Sequence, residues 1–215
     1  RVDRRQRQMC IRDSDPGAAI RGMNSKGIPS FIVSWFGQYL NNRYITTDIN
    51  GVKARRKLTK GTPQGGVLSS VVWNLAFDEL LDIFKTGPVK IVGFADDAAL
   101  LITGPDPVTL AGLGQTAVNK AVNWGKSNGL EFGAAKTVAV LFRGSDRVKM
   151  PEPLKVANQE IPYSKAVTYL GIKLDYKLTF SDHIRDKIKK GKGLLMKTKL
   201  AIGLSLIHIS EPTRP

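Results

Sequence analysis

Two adjacent carboxylates, Asp96 and Asp97, stand between two apolar runs at residues 88–94 and 98–103. Each run carries apolar residues on both faces, the pattern of a strand covered on either side in the middle of a sheet. Only Phe94-Ala95-Asp96-Asp97 is left between them, so the chain must turn back there as an antiparallel hairpin with its acids at the bend. An ionised pair in such a place repels itself unless a cation or a hydrogen-bond network compensates. Two readings stay open at this point. One is a metal-binding hairpin; the other is a solvent-exposed hairpin tip, since Asp is a common turn residue.

A second motif lies upstream, Lys60-Gly61-Thr62-Pro63-Gln64-Gly65-Gly66-Val67-Leu68-Ser69, and opens an apolar helix expected over Val67 to Phe84. Gly61, Gly65 and Gly66 allow a ligand to approach the backbone closely, while Thr62 and Gln64 add short polar side chains. The positive end of the helix dipole beside this loop suits a phosphate or a nucleotide. A ligand-free helix-entrance loop is the alternative. Together, GTPQGG followed by FADD resembles the nucleotide-and-template loop and the metal-binding turn of reverse transcriptases. The continuation GVLSSVVWNLAFDELL is similar to non-long-terminal-repeat retrotransposon enzymes, with Ser70-Val71 where that family would have Pro-Leu. Further matches follow in the same order from Asp15 to about Gly203.

Residues 1–14 and 204–215 resemble translations of sequencing-library adapter oligonucleotides and are set aside, which makes the rest an expected interior piece of a longer reading frame. The first of these segments carries five Arg and two Asp and the last one Arg and one Glu, so the remainder keeps +12 of the formal charge of +15. Cys10, the only cysteine, falls in the set-aside part, leaving no disulfide or Cys-ligated zinc to consider. No signal peptide and no bilayer-spanning apolar stretch is evident, so an intracellular protein, nuclear or cytoplasmic and neither secreted nor membrane-bound, is expected. The about 190 residues left suit one domain with a sizeable core, or one and part of another.

Asp15-Pro16 is expected to cap and start a helix through Met23, and a second helix from Ser30 to Asn41 carries Phe31, Ile32, Trp35, Phe36, Tyr39 and Leu40 as a core-facing stripe. Asn50-Gly51 predicts a hairpin between Tyr44–Asp48 and Val52–Leu58. Its return strand holds Lys53, Arg55, Arg56 and Lys57, either as a charged edge that resists aggregation or as phosphate contacts. Asp106-Pro107 begins another helix, with Leu110, Leu113, Ala117, Val118, Ala121 and Trp124 on its apolar face and Gly129 closing it. Strands are expected at Leu130–Phe132, Thr137–Phe142, Leu154–Ala157, Glu160–Tyr163 and Val167–Leu174, with a polar link from Arg143 to Pro153. A last helix, Ser181 to about Leu200, carries Arg185, Lys187, Lys189, Lys190, Lys192, Lys197 and Lys199 against Asp182 and Asp186.

The resemblance implies a reaction: a primer hydroxyl attacks the α-phosphorus of a deoxynucleoside triphosphate, with two divalent ions about 4 Å apart stabilising the oxygens. It implies magnesium, with manganese as a possible substitute, on hard carboxylate ligands. Neighbouring strand residues point to opposite faces, so one of the pair must dominate. By resemblance that is Asp96, with Asp97 auxiliary and Phe94 packed beneath the turn. Lys136-Thr137 resembles the end of a family motif written Asn-Pro-x-Lys-Thr, here with Gly133-Ala134-Ala135 before it. Lys136 would then neutralise the leaving pyrophosphate; an exposed turn lysine is the other reading. Tyr169-Leu170-Gly171 looks like the hairpin that grips a primer terminus. A packed strand Tyr followed by a bulge Gly competes with that reading or holds alongside it. Lys187 and Lys190, with Arg55 and Arg56, are candidate backbone contacts.

The expected fold class is α+β: a polymerase palm-like antiparallel sheet packed on helices (15–165), then the primer-grip strand and the beginning of a helical thumb (166–203). The family's third carboxylate would precede Asp15 and is missing, so an inactive fragment is expected. The implied partners are an RNA template, a DNA primer and deoxynucleoside triphosphates. A non-catalytic nucleic-acid-binding relic and a group II intron maturase-type enzyme are the alternatives.

Overall fold

The computed structural model describes residues 15–61 and 66–209, with side chains up to Leu200. The described chain forms two compact units, residues 15–137 with Pro151–Ile161, and Val138–Met150 with residues 162–209. Both mix helices with small antiparallel sheets, so the chain is α+β.

The first unit is organised by four helices: α1 (Pro16–Ser25), α2 (Ser30–Asn41), α3 (Ser69–Ile83) and α4 (Pro107–Ser127). Helix α3 lies between two cores. Val72 and Ala76 join Ala18, Ala19, Met23, Phe36 and Leu40 of α1 and α2. Trp73, Phe77 and Leu80 join Phe84, Val89, Ala117, Ala121 and Trp124. Gly22 explains how closely α1 and α3 approach, because a Cβ there would meet the backbone carbonyl of Leu75. Glu79 ties three helices together: it accepts from Arg21 Nε at 3.2 Å, from Trp124 Nε1 at 2.9 Å and from Asn128 Nδ2 at 3.5 Å. Asn128, buried, also accepts from Arg21 Nη2 at 2.6 Å, and its backbone carbonyl accepts from the Asp15 amide at 3.2 Å.

Asp106 caps α4 as expected, accepting from the amides of Val108 and Thr109. Asp15 occupies the corresponding place before α1 without any side-chain bond to the helix; its amide is engaged by Asn128 instead. Helix α3 begins at Ser69 and not Val67, whose side chain is exposed. The stripe of α2 is core only in part. Phe36 and Leu40 are buried, but Phe31 and Trp35 are 73% and 53% exposed, because the described neighbours cover only one side of the helix's broad apolar face.

Every sheet among the described residues is a two-stranded hairpin: β1 (Arg43–Ile49) with β2 (Val52–Leu58), β3 (Val89–Phe94) with β4 (Asp97–Ile102), β5 (Leu154–Val156) with β6 (Gln159–Ile161), and β7 (Ala166–Tyr169) with β8 (Ile172–Asp175). The expectation of central strands buried on both faces at 88–94 and 98–103 is thereby corrected. Val92, Phe94 and Leu101 are about half exposed, since among the described residues nothing covers the second face. Leu130–Phe132 and Thr137–Phe142 are not strands. The Leu130 amide closes the end of α4 on the carbonyl of Gly125, Phe132 packs on Gly125, and within 137–142 the pairing among the described residues is an isolated bridge from Ala139 to Tyr163. In the first unit, β5 leans on α4, where the Gln115 side-chain amide both donates to and accepts from the backbone of Lys155, as a neighbouring strand would.

In the second unit the single strand expected over Val167–Leu174 is two strands, reversed at Leu170-Gly171. Asp175 accepts from the amides of Lys177, Thr179 and Phe180 and so shapes the link to α5 (Ser181–Ile209). The His183 Nδ1 accepts from the Lys173 amide at 3.1 Å, and Lys173 pairs with Asp182 and Asp186.

Two outcomes are expected. Gly22→Ala should cost about 1–3 kcal/mol by forcing α1 from α3, read as a lower urea midpoint. Burial by itself would raise the Glu79 carboxyl, but the bonds from Arg21, Trp124 and Asn128 and the charge of Arg21 outweigh it and hold it below the ordinary range. A depressed carboxyl contributes stability that is fully present above its unfolded value, about 4.3, and is lost as pH falls through the folded value. Acid titration of unfolding should therefore show a flatter profile in Glu79→Gln than in the wild type.

Candidate active site

The acidic turn is a two-residue bend. Phe94 pairs with Asp97 across β3 and β4, leaving Ala95 and Asp96 at the tip. Ala95 takes a positive φ of 54°, as the first central position of a tight hairpin turn often requires. Directly opposed residues share a face, so Val89, Ile91 and Gly93 lie with Ile102, Leu100 and Ala98, while Lys90, Val92 and Phe94 lie with Leu101, Ala99 and Asp97. The first set faces the core around α3. A Cβ on Gly93 would collide with the ring of Phe77, which fills the space under the turn.

This corrects the placement of Phe94. It does not pack beneath the turn but alternates to the open face, 53% exposed, because Phe77 already occupies the covered one. Asp97 shares that open face; Asp96, at the tip, is half-buried. Water reaches both acids, so burial alone does not demand a counter-ion. What distinguishes the bend is its attachment: the Trp73 indole N–H of α3 donates to the carbonyl oxygen of Ala95 at 2.8 Å. Trp73 and Phe77, one turn apart and with ring centroids 5.6 Å apart, thus grip the bend from a single helix face.

That helix is the one entered from the Gly-rich loop. Thr62, Pro63, Gln64 and Gly65 lie outside the described residues. Of the remainder, Gly61 is buried with φ 70°, and the carbonyl of Gly66 accepts from the Ser69 amide at 3.1 Å. Arg43, which sequence reasoning passed over, holds the near side of the loop. Its guanidinium donates to the carbonyls of Leu40 and Lys60 at 2.8 and 3.3 Å and to that of Gly61. A lone Arg before a strand carries no signature that would have singled it out. Trp73 was equally invisible, one apolar residue among many in a helical stripe.

Lys136 ends a single 3-10 turn, Ala134–Lys136, and the amides of Lys136 and Thr137 and the Thr137 hydroxyl all donate to the carbonyl of Gly133. Its side chain is exposed and makes no ion pair among the described residues. On the β1–β2 hairpin, Arg55 stacks over Tyr44 with its guanidinium carbon 3.9 Å from the ring centroid, and Arg56 points to the other face, opposite Ile45. In the second unit, Leu170 and Gly171 both take positive φ, 49° and 81°, and the Tyr169 hydroxyl is buried without a hydrogen-bond partner among the described residues. Lys187 and Lys190 are exposed on α5; Asp182 and Asp186, its nearest acids, are already paired with Lys173.

As a metal site the bend offers two hard carboxylates and no more: among the described residues no group of three or more His, Cys, Asp or Glu side chains comes together. Two such ligands fit magnesium, which commonly takes one or two carboxylates and completes its shell with water and substrate phosphates.

Comparison with known proteins meets this arrangement from another side. The family model described as "Reverse transcriptase (RNA-dependent DNA polymerase)" matches residues 18–174. The chain is 29% identical over 140 residues, 63% of its length, to the Retrovirus-related Pol polyprotein from type-1 retrotransposable element R1 of Nasonia vitripennis, covering 41% of that protein. It is 30% identical over 137 residues to the R1 polyprotein of Bradysia coprophila, covering 62% of this chain and 14% of that one. Against the RNA-directed DNA polymerase from mobile element jockey of Drosophila melanogaster it is 26% identical over 179 residues, 77% of this chain and 19% of the other. The chain thus spans less than half of these relatives. With the acidic bend, the Gly-rich loop and the helix between them all inside the matched region, the chain belongs to the reverse transcriptase family, the RNA-directed DNA polymerases, in its non-long-terminal-repeat retrotransposon branch.

Proposed function

We propose that residues 15–165 are part of the palm of a polymerase that copies RNA into DNA, and that residues 166–203 begin its primer grip and thumb. The single observation that carries the reading is the Trp73–Ala95 hydrogen bond, which fastens the acidic bend to the helix leading out of the Gly-rich loop. In this reading the loop cradles a nucleotide and Asp96 meets its phosphates through a divalent cation. Two magnesium ions, or manganese in their place, would supply charge stabilisation to the entering and leaving oxygens when bound.

Within this scheme Asp96, at the tip, is the principal ligand and Asp97, on the open face beside Phe94, the auxiliary one, the roles that the family resemblance implies. Gly61, Thr62, Pro63, Gln64, Gly65 and Gly66 hold the incoming deoxynucleotide and its templating base, and Lys136 meets the leaving pyrophosphate with a free ammonium. Tyr169, Leu170 and Gly171 support the primer terminus, where the unpartnered Tyr169 hydroxyl would find an acceptor. Arg55, Arg56, Lys187 and Lys190 contact the nucleic-acid backbone without reading sequence.

Primer extension on an RNA template, with the chain set within a complete polymerase as its relatives carry it, tests the proposal. Asp96→Asn should lower the rate by two orders of magnitude or more, on the order of 3 kcal/mol of transition-state stabilisation. Equal rates would remove Asp96 from the chemistry. For the backbone contacts, Arg55→Ala and Arg56→Ala should each weaken binding to primer-template of any sequence and reduce the slope of log K against log salt by about 0.9 or less. Binding that persists while no variant or wild type extends a primer would favour a non-catalytic nucleic-acid-binding protein.

A further inference from the structure

A backbone carbonyl at the tip of a two-residue hairpin usually faces water, and Ala95 does not follow that pattern. Its oxygen is taken by the indole N–H of Trp73, a residue only 6% exposed. Ala95 is also one of the few non-glycine residues with positive φ, a conformation that costs an L side chain strain and persists where surroundings enforce it. Two independent contacts enforce it here. The Trp73 bond fixes the direction of the Ala95 carbonyl, and hence the plane of the Ala95-Asp96 peptide. The Phe77 ring against Gly93 fixes the height of β3 above the helix. Trp73 and Phe77 also stack on each other, with ring centroids 5.6 Å apart.

From this geometry we infer that Trp73 is a positioning residue for the acidic turn: it sets the orientation from which Asp96 meets a divalent cation and links that turn rigidly to the helix of the Gly-rich loop. The inference rests on the function proposed above. It touches neither metal nor substrate through Trp73 itself, whose indole acts only through the Ala95-Asp96 peptide. Binding at the turn and the hydrogen bond are then reciprocally coupled, each strengthening the other.

The test uses the whole chain, with Mn2+ as the probe of affinity and diamagnetic Mg2+ in its place for NMR. By NMR, the Trp73 indole N–H should exchange with solvent at least tenfold more slowly than that of half-exposed Trp35, and more slowly still with Mn2+ replaced by diamagnetic Mg2+ at saturation. Exchange as fast as that of Trp35, or protection indifferent to the cation, overturns the inference without any variant being made. Trp73→Phe keeps a ring against Phe77 but removes the donor together with part of the buried indole. It should weaken Mn2+ binding, followed by electron paramagnetic resonance, threefold or more, whereas Leu80→Ala, which loses core volume away from the turn, lowers the thermal midpoint and leaves Mn2+ affinity unchanged. Unchanged Mn2+ affinity in Trp73→Phe overturns the positioning role alone. Asp96→Asn separates the two levels: if it binds Mn2+ as wild type does, the metal reading of the turn fails, and the positioning role fails with it.

Discussion

Glu79 is the point on which the first unit depends. One carboxylate on α3 receives a guanidinium from α1, an indole N–H from α4 and the amide of Asn128 just beyond α4. Apolar packing brings these helices together, but contacts between rings and methyl groups are tolerant of sliding. A hydrogen-bonded hub with several partners is not, because each partner displaced is left polar and half-desolvated. The hub lies two residues beyond Phe77 and six beyond Trp73 on α3. Whatever holds the register of α3 therefore also holds the two rings that grip the acidic bend.

Much of this was legible beforehand, and the divisions follow the physics. Helices with regular apolar spacing are readable to within a few residues, as α2 shows, and so are those with an Asp-Pro start, as α1 and α4 show. Asn50-Gly51 and the Asp-Asp bend marked their hairpins because turn chemistry is local. What failed depended on distant neighbours. Phe31 and Trp35 look like core residues by periodicity, yet periodicity reports a preference for cover and not whether cover is present. Leu130–Phe132 has strand-like composition, but its backbone is consumed in closing α4. Phe94 was placed under the turn by analogy; the pleat puts Gly93 there, and Phe77 arrives from a helix sixteen residues earlier.

The site was legible in its ingredients and not in its joinery. Carboxylates, glycines and lysines announce themselves by type, and family resemblance arranged them in order. Arg43 and Trp73, which attach the loop and the bend to the helical frame, act through backbone carbonyls that any residue supplies. No side-chain pattern encodes such bonds. They arise where a long donor on a rigid helix happens to lie opposite a turn.

The β-structure carries a further consequence for how the chain comes to be folded. Among the described residues, all four sheets join strands consecutive in sequence, so each pairing closes a short loop and can form while the remainder is still unravelled. The costly closures belong to the helices, above all the union of Arg21 with Glu79 and with Asn128, residues 58 and 107 positions away. Assembly kinetics should accordingly be governed by when those helices dock, with the hairpins acting as prefabricated parts that wait for the frame.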